Sequence, residues 1–530
     1  MIRIRDLSLC PGDGEPQLLR AAAKQLGCTP KEILRMQLVK KSVDARKKQD
    51  VRMIYTVDVS VRGDEAVRVA RAKSPRVSIA AYHPYQPPAP AAPPENRPVV
   101  VGFGPGGMFA ALLLAEAGLR PIVLERGQDA TARREAVNRF WETGALDPEC
   151  NVQFGEGGAG TFSDGKLNTG TNDDRVFNVL HRFAEFGAPE EILCDAKPHI
   201  GTDVLVEVVQ ALRRRVESLG GEVRFGAKLT GLTELDCHMA AITYTQQGNV
   251  HTLPCSRLIL AIGHSARDTF QMLEQAGLPM EPKPFSMGVR IEHRQADIDK
   301  SQYGPFAGHP ALPPADYKLN CRLPDGSSAY TFCMCPGGYV VAAASETGGV
   351  VTNGMSNHDR GGENANSALL VTLKPEDFPY DGPLGGCRWQ REIEEAAFSA
   401  GGGDYRAPAQ LLSDFLASRP SAAFGAVRPT YRPGVTFCNL DDVLPKRITD
   451  TLRSALPVLD RSLRGFLCPD AVLTAPETRS SSPVRILRDD GLQAALRGLF
   501  PCGEGAGYAG GITSAAVDGL RCAEALIASL

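Results

Sequence analysis

The sequence predicts an α/β fold in which a parallel-sheet domain is interrupted by a β-rich insertion and preceded by a small α+β domain. Three observations carry this. The stretch "VVVGFGPGGMFAALLLAEAGLRPIVLERG" (99–127) reads as apolar strand, glycine turn, helix and second strand. Two more apolar strands running into glycines lie far downstream, "SRLILAIG" (256–263) and "GLFPCGEGAG" (498–507). Finally, "AYHPYQPPAPAAPPENRP" (81–98) is crowded with proline and alanine, the composition of a semi-rigid linker.

The bulk numbers agree with a multidomain globular chain. At roughly 100–200 residues per domain, 530 residues predict two to four domains. Hydrophobic content of 43% and charged content of 22% are those of an ordinary globular protein. No apolar run reaches the about 18–20 residues that span a bilayer, and "MIRIRDLSLC" lacks the apolar core of a secretory signal. The 14 cysteines are scattered, as in a reducing cytosol, and show no zinc-type spacing, so a cytoplasmic protein without a metal site is expected.

Residues 1–80 read as α+β: a strand at Ile2–Leu9, a helix around Gln17–Leu26, a short helix from Thr29, then strands "QLVKKSVDAR" and "RMIYTVDVSV". Residues 1–97 hold 18 Lys and Arg against 10 Asp and Glu, a net of +8, leaving −11 for the rest of a chain whose total is −3. The run Lys40, Lys41, Arg46, Lys47 and Lys48 is open to two readings, a nucleic-acid patch or a solvated hairpin. The second is favoured, because no aromatic platform for base stacking accompanies the charges.

Residues 97–283 read as the first part of the parallel-sheet domain, 284–474 as the β-rich insertion and 475–530 as the return. In the glycine turn, Gly102 permits the tight bend, Gly104 lets backbone approach a pyrophosphate, and Gly107 lets the helix pack on the strand. Pro105 and Gly106 complete that turn. The helix N-terminus then offers N–H groups and a positive dipole end to phosphate. Glu125, followed by Arg126, closes the second strand 18 residues beyond Gly107. A carboxylate there accepts hydrogen bonds from ribose hydroxyls and repels a 2′-phosphate, which leaves NAD and FAD open.

The remainder of the chain separates those two. Ala261-Ile262-Gly263 resembles the flavoprotein motif at which the chain leaves the nucleotide domain. Gly503-Glu504, with Gly510, Gly511, Ile512 and a terminal helix, is similar to the motif that contacts the ribityl and pyrophosphate region, with Glu in place of Asp. Together these elements resemble the glutathione reductase-like, Rossmann-like FAD-binding superfamily over 97–283 and 485–530. A closer resemblance, to a family of uncharacterised FAD-dependent dehydrogenases or NAD(P)/FAD-dependent oxidoreductases, is carried by "GEGGAGTFSDGKLNTGTND" (155–173), "TFCMCPGGYVV", "TNGMSNHDR", "PETRSSSPVRILRD" and "CGEGAGYAGGITSAAVDGL". It implies FAD and a redox fold but no substrate.

Several residues are candidates for contact or chemistry. Gly155, Gly157, Gly158 and Gly160 form a turn that backbone can bring close to a ligand, and Thr161, Ser163 and Lys166 add two hydroxyls and a cation. Lys166 beside the flavin would stabilise negative charge there. Cys333 and Cys335 read either as a redox pair or as small buried thiols lining the pocket. In a regular strand their Cα atoms would lie about 7 Å apart, at the limit for a disulfide. Arg290, Glu292 and His293 are expected to line the cavity, with His293 as proton donor. Asn353-Gly354 reads as a hairpin turn, with Asn357, His358 and Arg360 in the following polar loop. Arg479 and Ser480–Ser482 read as an anion site or a polar turn.

There is no second strand-linked Gly-x-Gly-x-x-Gly for NAD(P)H, which favours direct reduction by substrate or NAD(P)H visiting the cleft as a transient reductant. The expected activity is that of an FAD-dependent oxidoreductase passing hydride between flavin N5 and a small-molecule substrate. Competing readings are a flavin monooxygenase, a double-bond reductase, and an RNA-associated flavoprotein tethered by its basic N-terminal domain.

Overall fold

A computed structural model describes residues 1–82 and 84–530. His83, inside the expected linker, lies outside the described residues. The N-terminal segment forms a four-stranded antiparallel sheet in the order Ile33–Asp44, Arg52–Val61, Ile2–Leu9, Val77–Ile79. With helices Glu15–Leu26 and Glu65–Ala72 the element order is β-α-β-β-α-β, a split β-α-β unit. The second helix and the fourth strand are additions to the sequence reading. Asp64 caps that helix, its side chain accepting from the N–H groups of Ala66 and Val67.

This domain is docked. The Lys41 amide donates to the Cys194 carbonyl oxygen, Ala196 N–H donates to the Lys41 carbonyl oxygen, and Lys41 Nζ lies 3.1 Å from Asp195. Val43 and Ala45 pack on the core around residues 285–475. The charges of the basic hairpin are solvated as expected at Lys40, Arg46, Lys47 and Lys48, which are exposed, whereas Lys41 is half-buried against Asp195. The linker is tethered too: Tyr85 Oη donates to Glu524 at 2.7 Å.

The nucleotide-type half is a five-stranded, wholly parallel sheet in the order Leu499–Pro501, Leu258–Leu260, Val99–Val101, Ile122–Leu124, Glu222–Arg224. The strands are short and mostly buried, as parallel strands covered on both faces must be. Helices Pro105–Glu116, Thr202–Ser218 and Ile512–Ala528 pack on one face. On the other lies an antiparallel sheet of Ala227–Leu235, His238–Gln246 and Asn249–Pro254. Gly107 explains the tight first crossover: a Cβ there would lie 1.9 Å from the Gly102 carbonyl oxygen.

Between residues 260 and 499 the chain builds a second sheet of seven strands, ordered Asn320–Arg322, Ser328–Cys335, Asn364–Leu373, Phe285–Arg294, Val472–Glu477, Ala407–Leu411, Val435–Phe437. It carries its own helices, Gly385–Gly401 and Lys446–Ser462, so this region is less purely β than its sequence suggests. Phe285–Arg294 is its central strand, and every residue but Arg294 is buried. Asn353-Gly354 is not a turn. It lies within the strand Thr352–Met355, paired with Tyr339–Ala342. Glycine is required there because a Cβ on Gly354 would strike the Arg290 guanidinium and Asn366 Oδ1.

Candidate functional site

A cavity of about 430 Å³ runs between the parallel sheet and the seven-stranded sheet, within the range of about 300–1,000 Å³ typical of small-molecule and cofactor sites. The starts of two helices line it. Gly104, Pro105 and Gly106 open the first helix, and Gly510, Gly511 and Ile512 open the last. Neither helix start has a side-chain cap, so free backbone N–H groups and two positive dipole ends face the same space. The helices converge because glycines let them touch: a Cβ on Gly519 would lie 2.1 Å from the Gly106 carbonyl oxygen.

At one end, Glu125 is almost wholly buried. Its Oε2 accepts from Phe103 N–H at 2.8 Å, and its Oε1 accepts from Gly127 and Gly155 N–H, each at 2.9 Å. Three of its about four lone-pair sites are thus occupied. The carboxylate ties the glycine turn to the 155–160 loop and keeps one acceptor position for a ligand. Arg126 lies 4.0 Å above the Phe154 ring and is held by Asp268 and Glu149, so it forms a wall rather than a free charge. Despite burial, Arg126 and Lys228 hold the Asp268 carboxyl well below the usual carboxylate range.

The 155–160 loop divides into two roles. Gly158, Gly160, Ser163 and Lys166 line the cavity. Gly107, Gly157 and Thr161 do not; they stand one layer behind, which corrects the expectation that they contact the cofactor. Gly157 N–H donates to the Phe103 carbonyl oxygen, and Thr161 is buried beneath it. Lys166 Nζ stands 3.7 Å from Asp164. That carboxylate is already taken by Arg360 (2.6 Å) and by the Ser356 hydroxyl, which leaves the Lys166 charge largely for the cavity.

Ala261, Gly263, Gly503 and Glu504 also line the cavity. Gly503 N–H donates to Asp518 at 2.7 Å, fixing the turn before the last helix. Glu504 faces His264 at 3.5 Å, and His264 Nε2 is buried without a hydrogen-bond partner among the described residues. Sequence reasoning passed over His264, although it directly follows the Ala261–Gly263 motif. It also missed Asn353 and Glu477, which line the wall given by the second sheet.

Behind that wall lies a buried ion-pair network. Arg290 is fully buried, with Nε 2.7 Å from Glu477, Nη2 donating to Asn353 and Nη1 donating to the Cys333 carbonyl oxygen. It therefore supports the cavity wall without lining it. Glu292 and His293 are corrected more sharply. Both lie in the doubly covered central strand, outside the cavity. Glu292 accepts from Asn364 and Thr430. The His293 Nε2 is 2.8 Å from the Phe466 carbonyl oxygen, and burial pushes its pKa down to about 4. A cavity proton donor is not what its surroundings make of it.

Arg479 and Ser480 do reach the cavity, but Arg479 is spent on Glu394 (2.8 Å) and Glu346 (3.3 Å), and the Ser480 hydroxyl donates to the Ser286 carbonyl oxygen. Ser482 bonds only backbone. Asn357 and His358 do not line the cavity, and the His358 ring stacks on His199 with centroids 5.3 Å apart. Cys333 lines the cavity and Cys335 is buried behind it. All 14 cysteines are free thiols. No helix among the described residues is long and apolar enough to cross a membrane.

Fold and cavity together define an α/β protein with one cavity onto which two helix starts open. Residues 284–480 match the domain family described as FAD-dependent protein, C-terminal domain-like, and residues 1–60 match a domain of unknown function, DUF8436. A protein of Clostridium beijerinckii, described as uncharacterized, is 45% identical over 531 residues, covering 99% of this chain and 98% of the relative. The chain belongs to the family of that clostridial protein. Among solved structures, a triple mutant of the flavin-dependent brominase Bmp2 is 12% identical (TM-score 0.38; 82% of this chain, 80% of that chain). A geranylgeranyl bacteriochlorophyll reductase-like protein of Thermoplasma acidophilum is 13% identical (TM-score 0.37; 82% and 78%). Similarities of that size carry no weight for the assignment.

Proposed function

We propose that the cavity binds FAD and that the chain is an FAD-dependent oxidoreductase acting on a small-molecule substrate. In this reading, residues 97–283 and the segment after Glu477 hold the cofactor, and the seven-stranded sheet supplies the substrate-facing wall. The observation that carries the reading is the pair of uncapped helix starts on one continuous cavity. The residues present fit the group. Gly102, Gly104, Gly106 and Gly158 make a cradle without side chains, Glu125 keeps a free acceptor position, and the unpartnered His264 Nε2 awaits a polar contact.

FAD, when bound, supplies two-electron transfer through its isoalloxazine ring. The chain's own residues position it and set the charge around it. The Pro105 helix start and Gly104 hold the diphosphate. Glu125 accepts from an adenosine hydroxyl, with Arg126 and Phe154 walling that end. The Ile512 helix start and Lys166 stabilise negative charge at the ring end. Glu504 and His264 cover the stretch between the two.

The test is anaerobic titration of the purified full chain with NADH, NADPH and a metabolite panel, followed by flavin absorbance. Bleaching of a bound flavin by one of these donors is expected. A chain with flavin that no two-electron donor bleaches would overturn the oxidoreductase reading.

A further inference from the structure

The strand Ser328–Cys335 is irregular where it meets the cavity. Its pairing with Asn364–Leu373 slips between Phe332 and Cys335, and Cys333 has φ 43°, a left-handed conformation that costs a non-glycine residue about 1–3 kcal/mol. The surroundings impose it. Arg290 Nη1 donates to the Cys333 carbonyl oxygen at 2.9 Å, and the Cys335 thiol donates to the same oxygen at 3.3 Å. Gly337 N–H, just beyond, donates to Gln295. The bend departs from the regular strand spacing that would hold the two thiols apart, and the Cys335 sulfur is turned back onto Cys333 through its contact with that carbonyl oxygen.

The two sulfurs are not equivalent. Cys333 faces the cavity. The neighbouring Cys335 thiol lowers its pKa, and against the opposing effect of burial the charges of Arg290 and Lys166 lower it further, which favours the thiolate. Cys335 is wholly buried, and its thiolate neighbour and that burial push it up. An accessible thiolate with a protonated partner behind it is the asymmetry of a reactive dithiol. The pair also stands at the ring end of the cavity. Lys166 is tied to the last helix start through Thr513, whose hydroxyl donates to the Leu167 carbonyl oxygen at 2.8 Å.

We propose that Cys333 and Cys335 form a redox dithiol that interconverts with a disulfide by exchanging two electrons with the flavin; this rests on the FAD reading above. In the oxidising direction the Cys333 thiolate and the Cys335 thiol form one S–S bond, and the S–H bond of Cys335 breaks. Two electrons and the Cys335 proton pass to an oxidised isoalloxazine, which ends two-electron reduced and carries the negative charge the thiolate lost. Charge and hydrogen balance, and the return step reverses each change.

The experiment uses the full-length holoprotein. Anaerobic titration with dithionite should consume four electrons per FAD in the wild type and two in Cys335→Ser. In the oxidised wild type, the peptide containing both cysteines should resist alkylation and lack two hydrogen atoms in mass. After dithiothreitol it should take two alkyl groups. A wild type that binds FAD, consumes two electrons per FAD and is alkylated at both cysteines after oxidation overturns the dithiol while leaving the FAD reading standing. A chain that neither carries nor takes up FAD overturns both.

Discussion

The two walls of the cavity are built on different principles. The parallel-sheet wall is made of backbone: glycine turns, helix starts and N–H groups collected by one carboxylate, Glu125. The seven-stranded wall is made chiefly of side chains that meet from distant segments, with Asn353, Glu477 and the Cys333 carbonyl oxygen around the Arg290 guanidinium. In the proposed reading, the first arrangement serves the invariant diphosphate of a cofactor, and the second is the substrate-facing side.

The comparison breaks most visibly at Arg290. Arg290→Met strands the buried Glu477 carboxylate, and loss of one partner of such a pair costs about 3–5 kcal/mol. Chemical denaturation should show that loss, and Arg290→Met with Glu477→Leu should recover much of it. On the other wall, Gly107→Ala drives a Cβ into the Gly102 carbonyl oxygen, costing about 3 kcal/mol, near the top of the overpacking range. Here flavin retention should fall together with stability, whereas Arg290→Met protein that remains folded should keep its flavin.

His293 sharpens the contrast through pH. Its folded pKa of about 4 lies below the unfolded value, so the unfolded chain binds the proton first as pH falls. Stability is therefore full above about pH 6.5 and is lost as pH falls towards 4, by up to about 3 kcal/mol. His293→Gln should flatten that slope in thermal melts across this window. A change in the pH profile of turnover without a change in the melts would restore His293 to a chemical role. The smallest effect is expected for Glu125→Gln, which replaces an acceptor oxygen with a donor facing backbone N–H groups. It should cost about 1–3 kcal/mol and weaken FAD retention, measured by equilibrium dialysis.

The same contrast explains what could be read in the sequence. Gly102, Gly104 and Gly107 were legible because a backbone requirement leaves one acceptable residue type at a fixed spacing. Asn353-Gly354 was misleading for a related reason: glycine marks lack of room as readily as it marks a turn, and here the room is taken by Arg290. Arg290 and Glu292 alternate with Val289 and Ile291 as in a half-exposed strand, and nothing local reveals that Phe285–His293 is buried on both faces. The helix Glu65–Ala72 did leave a signal in Asp64 and the apolar spacing of Ala66, Val67 and Val69, overlooked beside the stronger strands before it. Which of Arg126, Lys166 and Arg479 keeps a free charge was illegible, because each is decided by partners far away in the sequence.

The central claim is that two helix starts on one cavity hold a single FAD. Its most direct test is the amount and identity of the nucleotide released when the purified full chain is denatured after reconstitution with FAD. One FAD per chain is predicted, falling steeply in Gly104→Val. A folded chain that retains no FAD, or a Gly104→Val chain that retains it fully, would contradict the account.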